Sequence, residues 1–261
     1  MFEDWLYLTQ CVQALCLRVE SEHYRRLKGD SVRTMGALYW QLNSIWPAPT
    51  WSSLEYGNRW KVAHYFAKEF FAETIISSFL SSGDYSVYVT TDGSTPLYGT
   101  WVISLVRWSD GQPIKTWKGD HAIPSYGSVM VFQENLDAMF SSAGVQETQA
   151  ALTLQWNVPG QEPVTNQFFP TSLSVVTLPY ANLLAQVSSI QATTAYLQVT
   201  CSAMAPFTFL EINLAGRFSQ NGFLCLPSSP VSVLFSSEGD IPLSIEEFQR
   251  ALRLKSIRDT Y

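Results

Sequence analysis

The chain has 261 residues, enough for one large or two to three ordinary domains. Hydrophobic residues make up 46% and charged residues 15%, a balance that fills a sizeable core and excludes an intrinsically disordered chain. The net charge of −6 argues against a nucleic-acid partner, which needs a basic face, and no apolar run reaches the length of a membrane span.

The N-terminus, Met1-Phe2-Glu3-Asp4-Trp5, is acidic and lacks the basic region that opens a signal peptide. From Asp4 to Leu27 apolar residues recur at Trp5, Leu8, Val12, Leu15 and Val19, three and four apart, and predict a helix. Gly29 stands where a left-handed residue ends such a helix. The run Met35 to Leu42 is short and nearly all apolar, as a buried strand of a parallel sheet reads. A loop with Pro47, Pro49 and Gly57 follows. A second helix is expected from about Arg59 to Ala72, with Trp60, Ala63, Phe66, Ala67 and Phe70 on one face.

Near residue 73 the period changes from helical to alternating. Strands are expected at Tyr85–Val89, Thr100–Trp108, Ser128–Phe132, Ala150–Trp156 and Ser172–Leu178. Further ones follow at Thr194–Thr200, Phe207–Ile212 and Val231–Phe235. Gly83, Asp92-Gly93, Asp110-Gly111 and Pro159-Gly160 punctuate them as turns. Strands of this length and spacing suit two β-sandwiches, with the break near Pro179 to Ala185.

Four cysteines and three histidines show no metal-ligand spacing, so neither a metal nor a cofactor is expected. Cys11 and Cys16 are five apart on a helix, roughly 7.5 Å in axial rise, too far for an easy bridge. Cys201 and Cys225 fall in one expected domain, where pairing stays open.

The segment Arg33 to Lys61, containing Thr34-Met35-Gly36-Ala37-Leu38-Tyr39-Trp40-Gln41-Leu42-Asn43 and Trp51-Ser52-Ser53-Leu54-Glu55-Tyr56-Gly57, resembles the β-mannosidases of glycoside hydrolase family two. His64 to Lys68 and Phe70 to Ala72 continue the match. So do Tyr7 to Gln10, Ala205-Pro206-Phe207, Gly216 to Ser219 and Asn221-Gly222-Phe223. The resemblance implies a multidomain fold: the last βα unit of a (β/α)₈ barrel (residues 1–73), then two immunoglobulin-like β-sandwiches (74–180 and 181–261). A whole barrel takes about 250 residues, so 73 hold only its end.

The implied activity is that of a retaining exo-β-mannosidase, which removes terminal β-mannose from oligosaccharides in glycoprotein breakdown, in the lysosome of animals. Its carboxylate pair would lie upstream, on barrel strands four and seven, so no catalytic residue is expected in this chain. The implied partners are the β-mannoside substrate and the upstream barrel and N-terminal domains. The alternative is a non-catalytic sandwich module that binds carbohydrate or another protein. The family gives a sugar-stacking role to a Trp on the last barrel strand, which here is Trp40. Asn43, Trp46, Trp51 and Glu55 follow in the loop as further candidate substrate-binding residues. Where the family carries Asp after Leu-Asn, this chain has Ser44, which removes a charge.

Overall fold

A computed structural model of the chain describes residues 2–29 and 33–260. Helix α1 spans Phe2–Arg26 and runs into a 3₁₀ turn at Leu27–Gly29, where the glycine was expected to stop it. Glu3 and Asp4 sit in its first turn and His23, Arg25 and Arg26 in its last, each sign matched to the helix dipole. Helix α2 spans Val62–Phe70, inside the expected range.

The first sandwich is built from β1 (Thr74–Ser81), β2 (Asp84–Thr91), β3 (Leu97–Arg107), β4 (Pro113–Ile123) and β5 (Ser128–Asn135). Helix α3 (Leu136–Ala143), β6 (Ala150–Asn157) and β7 (Val164–Phe168) complete it. Its two sheets run β1-β2-β5 and β4-β3-β6-β7, with every pair antiparallel. Tyr85, Val87, Ile103, Leu105, Leu152, Leu154 and Trp156 fill the space between them. Trp101 and Trp156 face each other across β3 and β6. At Gly99 a Cβ would stand 2.7 Å from the Trp156 ring and 2.5 Å from the Asn157 carbonyl, so only glycine admits this close approach.

The second sandwich contains β8 (Leu184–Gln191), β9 (Thr194–Thr200), β10 (Ala205–Glu211), β11 (Gly216–Phe218), β12 (Phe223–Cys225) and β13 (Val231–Ser237). Helix α4 (Ile245–Ala251) and β14 (Arg253–Lys255) follow. The sheets are β12-β10-β14 and β11-β13-β9-β8. Ser244 caps α4 in a reciprocal box with Glu247. Leu197, Val199, Val233, Phe235 and Phe248 lie in the core.

Both helices pack where the two sandwiches meet. Tyr7, Cys11 and Ala14 of α1 and Phe66 and Phe70 of α2 share one core with Trp108 and Ala151 of the first sandwich and Met204 and Phe207 of the second. Phe66 stacks on Phe207 at 5.7 Å. Arg25 donates to the carbonyls of Phe70 and Ala72, each at 2.7 Å, and pairs with Asp92. Asn166 of β7 donates to buried Glu22 and to the Ile76 carbonyl, both at 2.8 Å. Burial raises the Glu22 carboxyl above its ordinary value, against the pull of Arg18.

The apolar stripe of α1 faces outward: Trp5, Val12, Leu15 and Val19 are exposed, and the inward face is Tyr7, Cys11, Ala14, Arg18, Glu22 and Arg25. Polar groups with hydrogen-bond partners seat the helix instead. Two expectations need correction. No strand forms over residues 35–42, where Met35 is 93% and Leu38 98% exposed. An inner parallel strand needs a hydrogen-bonded neighbour on each side; here only the end of the run, Gln41 and Leu42, takes backbone hydrogen bonds, on one side, from Ser53 and Leu54. Residues 172–178 hold a short 3₁₀ turn at Leu173–Val175 rather than a strand, with the Ser172 hydroxyl accepting from the Ser174 amide.

Candidate functional site

The segment from Arg33 to Lys61 lies between the helices and has little regular structure, yet it is held at defined points. Residues 41–44 run beside 52–54. Ser53 donates its amide to the Gln41 carbonyl at 3.0 Å, Leu54 to Leu42 at 2.8 Å, and Ser44 to Leu54 at 3.0 Å. A turn over residues 55–59, with Gly57 at φ 90° and Asn58 at φ 64°, brings the chain back, and the Lys61 amide reaches the Ser53 carbonyl. Four short rungs therefore fold the segment on itself.

Two hubs of side chains tie these rungs together. Ser53 Oγ lies 2.9 Å from the Tyr39 hydroxyl, 3.0 Å from the Leu42 carbonyl and 3.0 Å from His64 Nδ1. His64 also meets Trp60 edge-on at 4.3 Å, and burial lowers its pKa. It is a packed histidine of α2.

The second hub surrounds Lys61. Its ammonium donates to the Thr50 carbonyl at 3.1 Å and to Ser52 Oγ at 3.2 Å. Ser44 Oγ is 2.7 Å from both Thr50 Oγ1 and Ser52 Oγ. Ser44, Ser52 and Lys61 are buried. Burial pulls the Lys61 pKa down, and the Glu55 charge works against that. The cation is thus surrounded by hydroxyls and carbonyls rather than paired to a carboxylate within hydrogen-bond reach. The sequence reading missed Lys61, Thr50 and Ser52; the departure at Ser44 was the one signal that pointed here.

The five candidate residues all sit on this scaffold. Trp40, Trp46 and Trp51 are 72%, 61% and 67% exposed, so none of them is core filler in this chain. The Trp40–Gln41 peptide is cis. Asn43 is exposed and bridges Leu54 through its backbone. The Trp51 carbonyl accepts from Gln13 Nε2 of α1 at 2.7 Å, which anchors the loop to the helix. Glu55 is half-buried and lines a cleft of about 640 Å³ with Arg59, Trp60, Glu211 and Arg253, so it faces the second sandwich. Arg59 pairs with Glu211 across that cleft at 3.6 Å. Among the described residues no cluster of His, Cys, Asp and Glu is arranged to hold a metal ion, and no helix is long and apolar enough to cross a membrane.

Comparison with known proteins agrees with this architecture. Residues 83–173 match the mannosidase Ig/CBM-like domain family, and residues 178–260 match a mannosidase Ig-fold domain family. The chain is 34% identical to the β-mannosidase of Mus musculus, over all of this chain and 30% of that one. It is 30% identical to β-mannosidase A of Aspergillus niger, over 90% of this chain and 26% of that one. The crystal structure of a β-D-mannosidase from Dictyoglomus thermophilum superposes with a TM-score of 0.82 at 23% identity, covering 98% of this chain and 30% of that one. The exo-chitosanase of Amycolatopsis orientalis shares the fold at a TM-score of 0.68 and 13% identity, over 95% and 33% of the two chains. The chain spans about 30% of the length of the curated mammalian relatives it matches. The chain is thus similar, along its whole length, to about 30% of the length of the β-mannosidases of mouse and rat, and its two sandwiches belong to the mannosidase Ig-like domain families.

Proposed function

We propose that the chain is the C-terminal portion of a retaining exo-β-mannosidase, and that residues 1–73 complete a barrel whose other parts lie upstream. Residues 74–180 and 181–261 would be the two sandwiches that follow it. One observation carries this reading: among the described residues the most exposed large apolar groups cluster on α1 and on the segment between the helices, while each sandwich has a filled core. Trp5, Val12 and Val19 on the helix, and Met35 and Leu38 beyond it, are the surface a barrel wall would bury.

In that setting the exposed tryptophans become a pocket wall. Trp40 stacks beneath the terminal mannose, and Asn43, Trp46, Trp51 and Glu55 line the rim. The chemistry needs two carboxylates about 5–5.5 Å apart, one to protonate the leaving oxygen and one to attack the sugar carbon. Both belong to the upstream strands, so the chain alone is inactive. The substrate is a β-mannoside oligosaccharide of the kind left by glycoprotein breakdown, and the compartment is the lysosome.

The test joins this chain, in frame, to the upstream part of the mouse relative and assays an aryl β-mannoside. The chimera turns over and the isolated chain does not. The CBM-like character of the family matched at 83–173 favours a second reading, in which the chain binds sugar without cleaving it. Retention on β-mannan together with a folded but inactive chimera would select that reading.

A further inference from the structure

A cleft of about 640 Å³ lies between the second sandwich, the start of α1 and the turn at residues 55–59. Small-molecule sites commonly occupy about 300–1,000 Å³. The wall is apolar and aromatic, with Leu6 of α1, Trp60 and Phe209 of β10. The exposed edge is charged in both senses. Glu211 ends β10 and stands opposite Arg253, the first residue of β14. Arg59 approaches the Glu211 carboxylate at 3.6 Å, outside hydrogen-bond distance, and both side chains are about half exposed. Glu3 and Glu55 line the same cleft.

That composition selects a class of ligand. An anion there meets the carboxylates of Glu3, Glu55 and Glu211, and a cation meets the guanidinium groups of Arg59 and Arg253. A neutral polyhydroxyl chain suits both: neighbouring hydroxyls donate to a carboxylate and accept from a guanidinium, while C–H faces lie against aromatic rings. Place narrows the choice further. In a barrel, active sites lie on the face where the strands end, which is also where the following helices begin. The start of α1 and the turn that follows residues 35–42 both line the cleft. On the barrel reading given above, it therefore opens on that face, beside Glu55.

Resting on that reading, we propose that the cleft holds the sugars on the leaving side of the scissile bond, with Glu211 and Arg253 as the hydrogen-bonding pair supplied by the second sandwich. The terminal mannose sits on Trp40, and the rest of the chain runs along Trp60 and Phe209 toward that pair. The loose contact between Arg59 and Glu211 leaves both groups free to turn to hydroxyls. Binding energy from sugars remote from the reacting carbon then favours an oligosaccharide over a short aryl mannoside, whose leaving group ends before β10 and β14.

The experiment compares a linear β-mannotriose with an aryl β-mannoside in the chimera described above. Glu211→Gln and Arg253→Met each replace an exposed side chain, so both variants should fold. Each should lower kcat/KM for the trisaccharide about tenfold relative to the aryl substrate, through KM, as expected for one lost hydrogen bond to a charged group. Trp40→Ala should lower both substrates alike. An active chimera in which neither cleft variant changes that ratio would overturn the proposal and leave the barrel reading standing. The isolated chain gives a readout that needs no turnover: β-mannotriose should shift the amide resonances of residues 55–60, 211 and 253, and Arg253→Met should remove those shifts. Shifts that survive Arg253→Met, or none in the cleft, would overturn the sugar site. An inactive chimera beside intact cleft binding would overturn the barrel reading and the leaving-side role, and support the cleft as a sugar site.

Discussion

Replacing Ser44 by Asp should tighten the whole segment from Arg33 to Lys61, because it supplies the carboxylate that the Lys61 cation lacks. Ser44 Oγ is 2.7 Å from Ser52 Oγ, and Ser52 Oγ is 3.2 Å from the Lys61 ammonium. A carboxylate one bond longer than the hydroxymethyl group reaches toward that ammonium. A hydrogen bond to a charged group contributes about 1.5–3 kcal/mol. The new carboxylate must itself leave water, which offsets part of this, so the net gain is about 1–2 kcal/mol. Lys61 has already been desolvated in the wild type, so that cost does not recur. A gain of this size is a factor of about 5–30 in a local opening equilibrium. Amide exchange across residues 44–61 reads it, since the Ser44, Ser53, Leu54 and Lys61 amides make the rungs. The pH dependence has a definite sign. Burial holds the Lys61 pKa below 10.5, so the unfolded chain binds that proton more tightly than the folded one. Wild-type stability from this group is therefore lowest below the folded pKa and recovers as pH climbs toward 10.5. Ser44→Asp should flatten that rise. In a Lys61→Met background the same substitution buries an unpaired charge and should destabilise. Equal effects of Ser44→Asp in the two backgrounds would refute the argument.

Other consequences follow from single contacts. Gly99→Ala should cost about 1–3 kcal/mol in thermal or urea unfolding, since its Cβ would meet the Asn157 carbonyl at 2.5 Å. Phe66→Ala should cost about 3–5 kcal/mol, because Phe66 joins the helices to Phe207, and native-state proteolysis should then release α1 and α2 earlier. In the unsubstituted chain limited proteolysis should cut first within residues 33–60 and leave α1 intact; a first cut inside α1 would count against the packing described. In the chimera, Trp40→Ala should lower turnover per active site by about 30-fold if stacking is worth about 2 kcal/mol, whereas Trp46→Ala at the rim should mainly raise KM. Unchanged turnover in Trp40→Ala would leave Trp40 without that role.

The sequence was most legible where structure is local. The α1 pattern and Gly29 set the first helix, and alternation set most of the sandwich strands. It misled where a pattern depends on a partner. The run from Met35 to Leu42 reads as an inner strand because it is apolar throughout, but a strand is made by its neighbours, and none of the described strands pairs with it. In α1 the apolar stripe of Trp5, Val12, Leu15 and Val19 lies outward. What buries the opposite face is a set of charges, Arg18, Glu22 and Arg25, whose partners at Glu69, Asn166 and the 70–73 backbone lie 45 to 144 residues away. The Lys61 hub was hidden likewise, since residues 44, 50, 52 and 61 converge only after the turn at Gly57. Of the candidate site, the position of the segment was readable. The turn of Glu55 toward the second sandwich was not.

The most direct test of the central claim is where a mechanism-based 2-fluoro-mannoside becomes attached. Such a reagent traps the glycosyl-enzyme on the attacking carboxylate, and peptide mapping locates it. The account predicts no adduct on the isolated chain and, in the chimera, one adduct on an upstream carboxylate with residues 1–261 unlabelled. An adduct on Glu55, in either protein, would contradict it and move the nucleophile into the loop between the helices.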